Sequence, residues 1–296
     1  MNTVVQIVRS MRPAQWVKNL LVAAPVLFAK KRTVEDPAIL AKAALATAVF
    51  VLLAGAVYVM NDVLDVEKDR EHPVRRLRPI ASGAVSIQTA VAGGLCALGL
   101  AYAAGWFLGA PFTLVATIYL LQNVFYSSVF KRIAYLDVLS IATGFLLRIV
   151  SGCFAIGLEP AEISYYLIVC TFLVALFFAL GKRRHELAML GGDAGSHRSV
   201  LSQYRLHHLD LAMYLVGLVT LAAYCLYTVS GRTLDYFGNL RLVFTVPFVL
   251  FGMWRFLAIA RREGERRSPT DAMVRDPLFV VDSVVWVAVA AWAVYG

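Results

Sequence analysis

Four oxygen-bearing side chains crowd one short stretch of this sequence: Asn61, Asp62, Asp65 and Asp69. A helix turns by about 100° per residue, so these positions would fall within roughly 100° of one another and share one face. Carboxylates three and four residues apart repel each other and need a cation between them. Mg²⁺ prefers one or two carboxylates, completed by water and substrate phosphate oxygens. We therefore predict that this face binds Mg²⁺ and, through it, a diphosphate, with Asp62 in support. The alternative is a solvated helix end whose acids pair with nearby basic residues.

Arginines follow the acids. Arg75 and Arg78 precede a proline and a glycine, which break the helical pattern and leave guanidinium groups beside the acidic face. The planar fork of an arginine suits phosphate oxygens. These residues are thus predicted to contact a phosphorylated substrate, unless they serve only as topology signals.

The elements that position these groups are membrane spans. The chain has 296 residues, of which 60% are apolar and 16% charged, far below the roughly 25% charged content of soluble domains. Runs of about 20 apolar residues are long enough to cross a bilayer as helices. Short connections favour one polytopic all-α membrane domain over residues 1–296. We predict nine spans, at residues 14–29, 38–60, 87–105, 111–129, 135–157, 163–181, 209–230, 240–259 and 278–295.

The basic residues predict an orientation. With nine spans, twenty Lys and Arg residues fall on one side of the membrane and five on the other, with three inside spans. Basic loops stay cytoplasmic, so the amino terminus and the acidic motif are expected at the cytoplasmic face of a cell (inner) membrane. Lys30, Lys31 and Arg32 are exceptions to this rule. Because topology accounts for most of the net charge of +9, nucleic acid is not an expected partner.

The motif as a whole resembles a known family. Asn61-Asp62-x-x-Asp65-x-x-x-Asp69, followed by His72-Pro73 and Arg78-Pro79-x-x-Ser82-Gly83, is similar to the first aspartate-rich motif of the UbiA superfamily of intramembrane prenyltransferases. The resemblance implies a bundle of nine transmembrane helices with a polar cytoplasmic cap and a Mg²⁺-dependent transferase. Members typically carry a second aspartate-rich motif after the sixth span. This chain departs there, because Asp193 is the only aspartate in that loop and three basic residues precede it.

That departure points to one branch. Arg12-Pro13-x-Gln15-Trp16-x-Lys18-Asn19, Leu136-Asp137-Val138-Leu139 and Gly181-Lys182-Arg183-Arg184-x-Glu186-Leu187 resemble the decaprenyl-phosphate phosphoribosyltransferases. The resemblance implies transfer of ribose 5-phosphate from phosphoribosyl pyrophosphate to a polyprenyl phosphate, for later conversion to an arabinose donor. It assigns catalysis to Asp65, Asp69 and Arg78. Isoprenoid length, the number of Mg²⁺ ions and the oligomeric state stay open.

The same resemblance suggests roles for the basic residues of the sixth span. Lys182, Arg183 and Arg184 are candidates for the 5-phosphate or the acceptor phosphate. Glu186 lies about 40° from Lys182 on a helix and is predicted to orient that lysine or bind a ribose hydroxyl.

Charges inside apolar spans are expected to be functional. Lys18 and Asn19 lie near the start of the first span, and Lys18 either meets the lipid phosphate or snorkels to the headgroups. Arg148 lies near the middle of the fifth span and is expected to face a substrate phosphate or a structural carboxylate such as Asp137.

Tyr126, Lys131 and Arg132, at the end of the fourth span, are predicted to bind substrate, although they also fit an ordinary interfacial belt. Aromatic prenyltransferases carry a Tyr and a Lys four residues apart there, whereas Tyr126 and Lys131 are five apart.

The sequence leaves two other functions to consider. An aromatic prenyltransferase would use an isoprenyl diphosphate, but the second metal motif is absent. A transporter would favour internal repeats and broken helices near the midplane, whereas the charged motifs here gather on one side.

Overall fold

The computed structural model describes residues 3–29, 36–190, 200–262 and 268–296. The basic cluster at 30–32 and Asp193 lie outside these ranges. Within them the chain is all-α, and no β-strand occurs. The α-helices are α1 Thr3–Ser10, α2 Pro25–Phe28, α3 Ile39–Leu64, α4 Val66–Glu71, α5 Ile87–Trp106, α6 Ala110–Ser128, α7 Leu136–Ala155, α8 Tyr165–Leu190, α9 Leu206–Val229, α10 Gly231–Phe237, α11 Val246–Ala260, α12 Pro269–Met273 and α13 Pro277–Tyr295.

Eight helices in the described ranges are long and apolar enough to cross a membrane: α3, α5 to α9, α11 and α13, with short 3₁₀ extensions of α6 and α11. They agree in place with eight of the nine predicted spans. The chain is therefore a multi-pass membrane protein.

The first predicted span, 14–29, does not form one α-helix. Pro13–Ala23 is a 3₁₀-helix, and the short helix α2 follows it at Pro25. Proline lacks an amide hydrogen, and its ring clashes with the helix turn before it, so Pro25 prevents a continuous α-helix. Eleven residues at about 2.0 Å rise cover roughly 22 Å. The predicted count of nine transmembrane helices is thus not confirmed.

The chain divides into two compact units. The first consists of Met1–Ser127 with Leu147–Glu162, and the second of Ser128–Leu146 with Ile163–Gly296. Helix α7 contributes to both. That residues 1–296 form a single domain stays a prediction, and the units are described separately below.

In the first unit, α3 packs along α5 and the Pro13–Ala23 helix. Its core contains the aromatic rings of Phe50, Phe112 and Tyr119. Glycine permits close contacts with the amino-terminal segment. A Cβ atom added to Gly152 would lie 1.9 Å from the backbone oxygen of Val22. Small residues at helix contacts let backbones approach closely inside membranes, and here they hold the amino-terminal segment against the unit.

In the second unit, α8 packs along α9 and contacts α11. Phe177, Met213 and Phe256 form part of its core. A Cβ atom at Gly181 would lie 2.5 Å from the Phe256 ring, so only glycine fits at this contact. The basic residues predicted to bind phosphate follow directly after Gly181 on α8.

Candidate diphosphate and phosphate sites

The acidic motif continues the path of α3 into α4. Asp65 interrupts the helix with φ −101° and ψ 13°. The amides of Asp65 and Asp69 nevertheless donate to the carbonyls four residues earlier at 2.9 Å. Asp62 and Asp69 are 2% and 1% exposed, Asn61 and Asp65 are half-buried, and Glu67 faces solvent. The predicted face therefore points into the first unit, as the helical spacing indicates.

Arg78 bridges the two buried acids. Its Nη1 donates to Asp69 Oδ2 at 2.6 Å and to Asp62 Oδ1 at 3.1 Å. Arg75 Nη1 lies 3.9 Å from Asp69 Oδ1. A turn at Gly83, where φ is +76°, follows the arginines and requires a left-handed conformation. The alternative in which acids pair with nearby basic residues thus describes part of the motif correctly.

Arg12 is a member of this cluster that the sequence did not predict. Its Nη2 donates to Asp62 Oδ1 at 2.5 Å, and its guanidinium lies over the Tyr58 ring at 4.7 Å. The backbone at Arg12 is left-handed, with φ 55°, which costs a non-glycine residue about 1–2 kcal/mol. Pro13 follows and disfavours the right-handed helical conformation at Arg12. Asp62 therefore anchors two arginines, and its predicted role as a supporting metal ligand stays a prediction.

The remaining oxygens fit a hard cation. Asp69 Oδ1 is buried and accepts no hydrogen bond from the part of the chain that the structure describes, an arrangement that is costly unless another group completes it. Asp65 lies about one helical turn before it and Asn61 about two. Within the described residues, no three His, Cys, Asp or Glu side chains cluster as a metal site. The fit to Mg²⁺ is therefore one or two carboxylates with an amide oxygen, completed by substrate oxygens and water.

A second polar group lies inside the first unit. Arg148 is buried; its Nε donates to Asn19 Oδ1 at 3.0 Å and its Nη2 to Tyr119 Oη at 2.8 Å. Asn19 is buried as well, whereas Lys18 is exposed. In the second unit Asp137 pairs with Arg183, and the suggested pairing of Arg148 with Asp137 stays a prediction.

Asp137 is the centre of a buried network in the second unit. Arg183 Nε donates to Asp137 Oδ2 at 2.5 Å, and Arg183 Nη1 donates to Glu186 Oε2 at 2.6 Å. The Tyr204 hydroxyl donates to Asp137 Oδ1 and accepts from the amide of Tyr135 at 2.7 Å. Burial and then the bond to Asp137 raise the pKa of Tyr204. Arg183 and Glu186 are therefore already paired within this buried network, and their contacts with a phosphate and a ribose hydroxyl stay predictions.

The other predicted phosphate ligands of this unit differ in exposure and in ion pairing. Arg184 Nε donates to Asp210 Oδ1 at 3.3 Å, and Arg261 shares that oxygen at 3.1 Å. Lys182 and Lys131 are half-buried, and Arg132 is exposed. Gln203 accepts from the amide of Ala134 at 3.0 Å and donates to the carbonyl of Arg132 at 2.8 Å, which fixes the turn that carries Lys131. Tyr126 lies half-buried on α6 in the first unit.

Comparison with known proteins agrees with this architecture. The sequence model of the UbiA prenyltransferase family matches residues 19–294. The chain belongs to this family.

Several relatives that are similar over nearly the whole chain are named decaprenyl-phosphate phosphoribosyltransferase. A decaprenyl-phosphate phosphoribosyltransferase from Mycobacterium tuberculosis is 32% identical, over 99% of this chain and 95% of the relative. Proteins of the same name from Mycolicibacterium smegmatis and Corynebacterium glutamicum are each 29% identical, over 99% and 97% of this chain and 94% and 86% of their own lengths.

Two solved structures share the fold. A UbiA homolog from Archaeoglobus fulgidus bound to GPP and Mg²⁺ superimposes with a TM-score of 0.70 at 17% identity, over 98% of this chain and 100% of that chain. A digeranylgeranylglyceryl phosphate synthase gives a TM-score of 0.68 at 16% identity, over 99% of both chains.

Proposed function

We propose that this chain transfers the 5-phosphoribosyl group of phosphoribosyl pyrophosphate to a polyprenyl phosphate, such as decaprenyl phosphate, and releases diphosphate. The observation that carries the proposal is the similarity to phosphoribosyltransferases over nearly the whole chain. The sequence supports it in two places. The first acidic motif is retained, and Lys182 with its basic neighbours stands where aromatic prenyltransferases carry a second aspartate-rich motif.

The reaction is a displacement at the anomeric carbon. An oxygen of the lipid phosphate forms a bond to that carbon, the bond from the carbon to the diphosphate oxygen breaks, and diphosphate leaves with the electron pair. The attacking oxygen is already anionic near neutral pH, so no general base is needed. Rate enhancement then comes from alignment and from stabilisation of the leaving charge. Attack opposite the leaving group inverts the configuration.

The first unit supplies the proposed diphosphate site. Asn61, Asp65 and Asp69 would hold Mg²⁺, which when bound neutralises charge on the diphosphate. Arg78 and Arg75 contact diphosphate oxygens directly, because both guanidinium groups already lie within 4 Å of the buried Asp69 carboxylate. Their forks suit the leaving group.

Phosphate monoesters are assigned to basic side chains near the membrane surface. In the second unit, the turn fixed by Gln203 presents Lys131 and Arg132, and Lys182 begins the basic run of α8. Lys18 and Tyr126 of the first unit are further candidates. Arg183 acts indirectly, because its ion pairs set the position of α8 against the start of α7.

We also propose an orientation. The excess of Lys and Arg on one side of the spans favours an amino terminus and a diphosphate site at the cytoplasmic face. The whole chain is treated as one polytopic membrane domain in this proposal.

Radiolabelled phosphoribosyl pyrophosphate, decaprenyl phosphate and Mg²⁺ test the proposal with detergent-purified protein. Label should enter the lipid phase. Asp69→Asn should lower the rate by about 100-fold, the order seen when one electrostatic contact to a transition state is lost. Glu67→Gln is the matched control, because Glu67 lies in the same helix but is exposed. No transfer by the parent protein would contradict the proposal, and equal loss in both variants would contradict the metal assignment.

A further inference from the structure

Arg12 lies outside the acidic motif in sequence but is built into it in space. Its guanidinium stacks over Tyr58 at 4.7 Å while its Nη2 donates to Asp62 at 2.5 Å. Tyr58 and Asp62 are four residues apart on α3 and therefore share a face. The Tyr58 ring and the Asp62 carboxylate together form a binding site for one guanidinium. The left-handed backbone at Arg12 places its side chain in this site.

Arg78 has a different pattern of contacts. A single nitrogen, Nη1, serves both Asp62 and Asp69. Asp62 therefore has two arginine partners, whereas among the described residues the side chain of Asp69 accepts a hydrogen bond from Arg78 at Oδ2 and none at Oδ1. Asp69 cannot offer both oxygens to a cation while Arg78 holds one of them. A metal–diphosphate complex that takes both oxygens of Asp69 would displace Arg78 from this carboxylate.

We propose that Arg12 is a positioning residue that allows this exchange. When Arg78 turns towards a diphosphate, Asp62 keeps the ion pair with Arg12 and is not left as an uncompensated buried charge, which would be strongly unfavourable. Without Arg12, Asp62 would depend on Arg78 and retain it. The inference rests on the proposed function only in that it takes the acidic motif as the diphosphate site.

Binding of Mn²⁺ in the presence of inorganic diphosphate, followed by electron paramagnetic resonance of the full-length purified protein, tests this role without catalysis. Arg12→Gln should weaken Mn²⁺ binding by about tenfold, the order expected when one hydrogen bond to a charged group is lost. Arg9→Gln removes the same charge three residues earlier from an exposed side chain. It should stay within about twofold of the parent.

A double-mutant cycle separates positioning from a general effect on folding. In an Asp62→Asn background no carboxylate remains to trap Arg78, so adding Arg12→Gln should leave Mn²⁺ affinity unchanged. This comparison holds even if Arg12→Gln alone does not fold, because the double variant buries no unpaired carboxylate at residue 62. Parent-like binding by Arg12→Gln, or an equal loss in the Asp62→Asn background, would overturn the proposal.

Failure of the proposed role of Arg12 can be distinguished from failure of the proposed function. No polyprenyl phosphate and no group transfer enter the binding measurement. Absence of phosphoribosyl transfer together with the expected pattern in the cycle would reject the function and keep the role of Arg12. Normal transfer with parent-like binding by Arg12→Gln would do the reverse.

Discussion

Replacing Arg183 by Met tests whether this arginine holds the fold or binds a phosphate. Arg183 is 1% exposed and its partner Asp137 is 0% exposed. Removing the guanidinium leaves Asp137 buried with a hydroxyl and an amide but without its positive partner. Breaking a buried pair in this way costs about 3–5 kcal/mol. At roughly 2–4 °C per kcal/mol, the melting midpoint should fall by about 10 °C.

The assay is thermal unfolding in detergent, followed by size-exclusion chromatography of the fraction that stays folded. Arg184→Met is the matched control on the neighbouring position. Its ion pair with Asp210 spans 3.3 Å with both side chains partly exposed, so its loss should cost about 1 kcal/mol or less. Adding Asp137→Leu to Arg183→Met should recover part of the midpoint, because no buried carboxylate then remains.

One result would contradict a structural role for Arg183. If Arg183→Met melts with the parent but loses phosphoribosyl transfer, the buried network around Asp137 is not structural, and the phosphate role predicted from sequence is restored.

Three further changes test other parts of the structure by the same melting assay. Gly152→Ala puts a methyl group 1.9 Å from a backbone oxygen and should lower the midpoint by about 5 °C, whereas Gly99→Ala, with no atom within 4 Å, should not lower it. Tyr204→Phe should lower the free energy of unfolding by about 1–3 kcal/mol. Burial raises the pKa of Tyr204 in the folded protein. The difference in melting midpoint between the parent and this variant should therefore be constant from about pH 6 to 9 and shrink above about pH 10, where the unfolded tyrosine ionises. Asp276→Asn keeps the helix cap but loses the ion pair with Arg255, whose hydrogen bond lowers the pKa of Asp276. The melting midpoint of the parent should exceed that of this variant by its full amount at about pH 7, and the difference should shrink as the pH falls below about 4.

Hydrophobic run length predicted most of the fold. Eight spans agree with helices of the structure because a run of about 20 apolar residues leaves the backbone few alternatives to a helix in a bilayer. The first span, 14–29, differs because Pro25 lies inside it, and composition does not distinguish an α-helix from the 3₁₀-helix at Pro13–Ala23. The division into two units depends on packing between distant segments and has no local signal.

Helical spacing also predicted the acidic face, because Asn61 to Asp69 lie on nearly continuous helix. The partners of these acids were harder to predict. Arg78 is sixteen residues from Asp62 and could be suspected, but Arg12 is fifty residues away. The only sequence signal for Arg12 was its place before Pro13 in a motif shared with a branch of the family.

The burial of Arg183 was also not predictable from the local sequence. A run of three basic residues suggests an exposed phosphate site, yet the α-helix turns the middle residue inwards to Asp137, forty-six residues earlier. Sequence gave the charge of each side chain, and only the tertiary structure shows which charges are already neutralised.

The identity of the donor substrate separates the proposed function from an aromatic prenyltransferase, and two parallel reactions determine it. Purified protein with Mg²⁺ would receive either phosphoribosyl pyrophosphate with decaprenyl phosphate, or an isoprenyl diphosphate with 4-hydroxybenzoate, and both products would be quantified by mass spectrometry. We predict a phosphoribosylated polyprenyl phosphate in the first reaction and no prenylated aromatic product in the second. Prenylation of the aromatic acid, without phosphoribosyl transfer, would contradict the proposed function and identify the protein as an aromatic prenyltransferase.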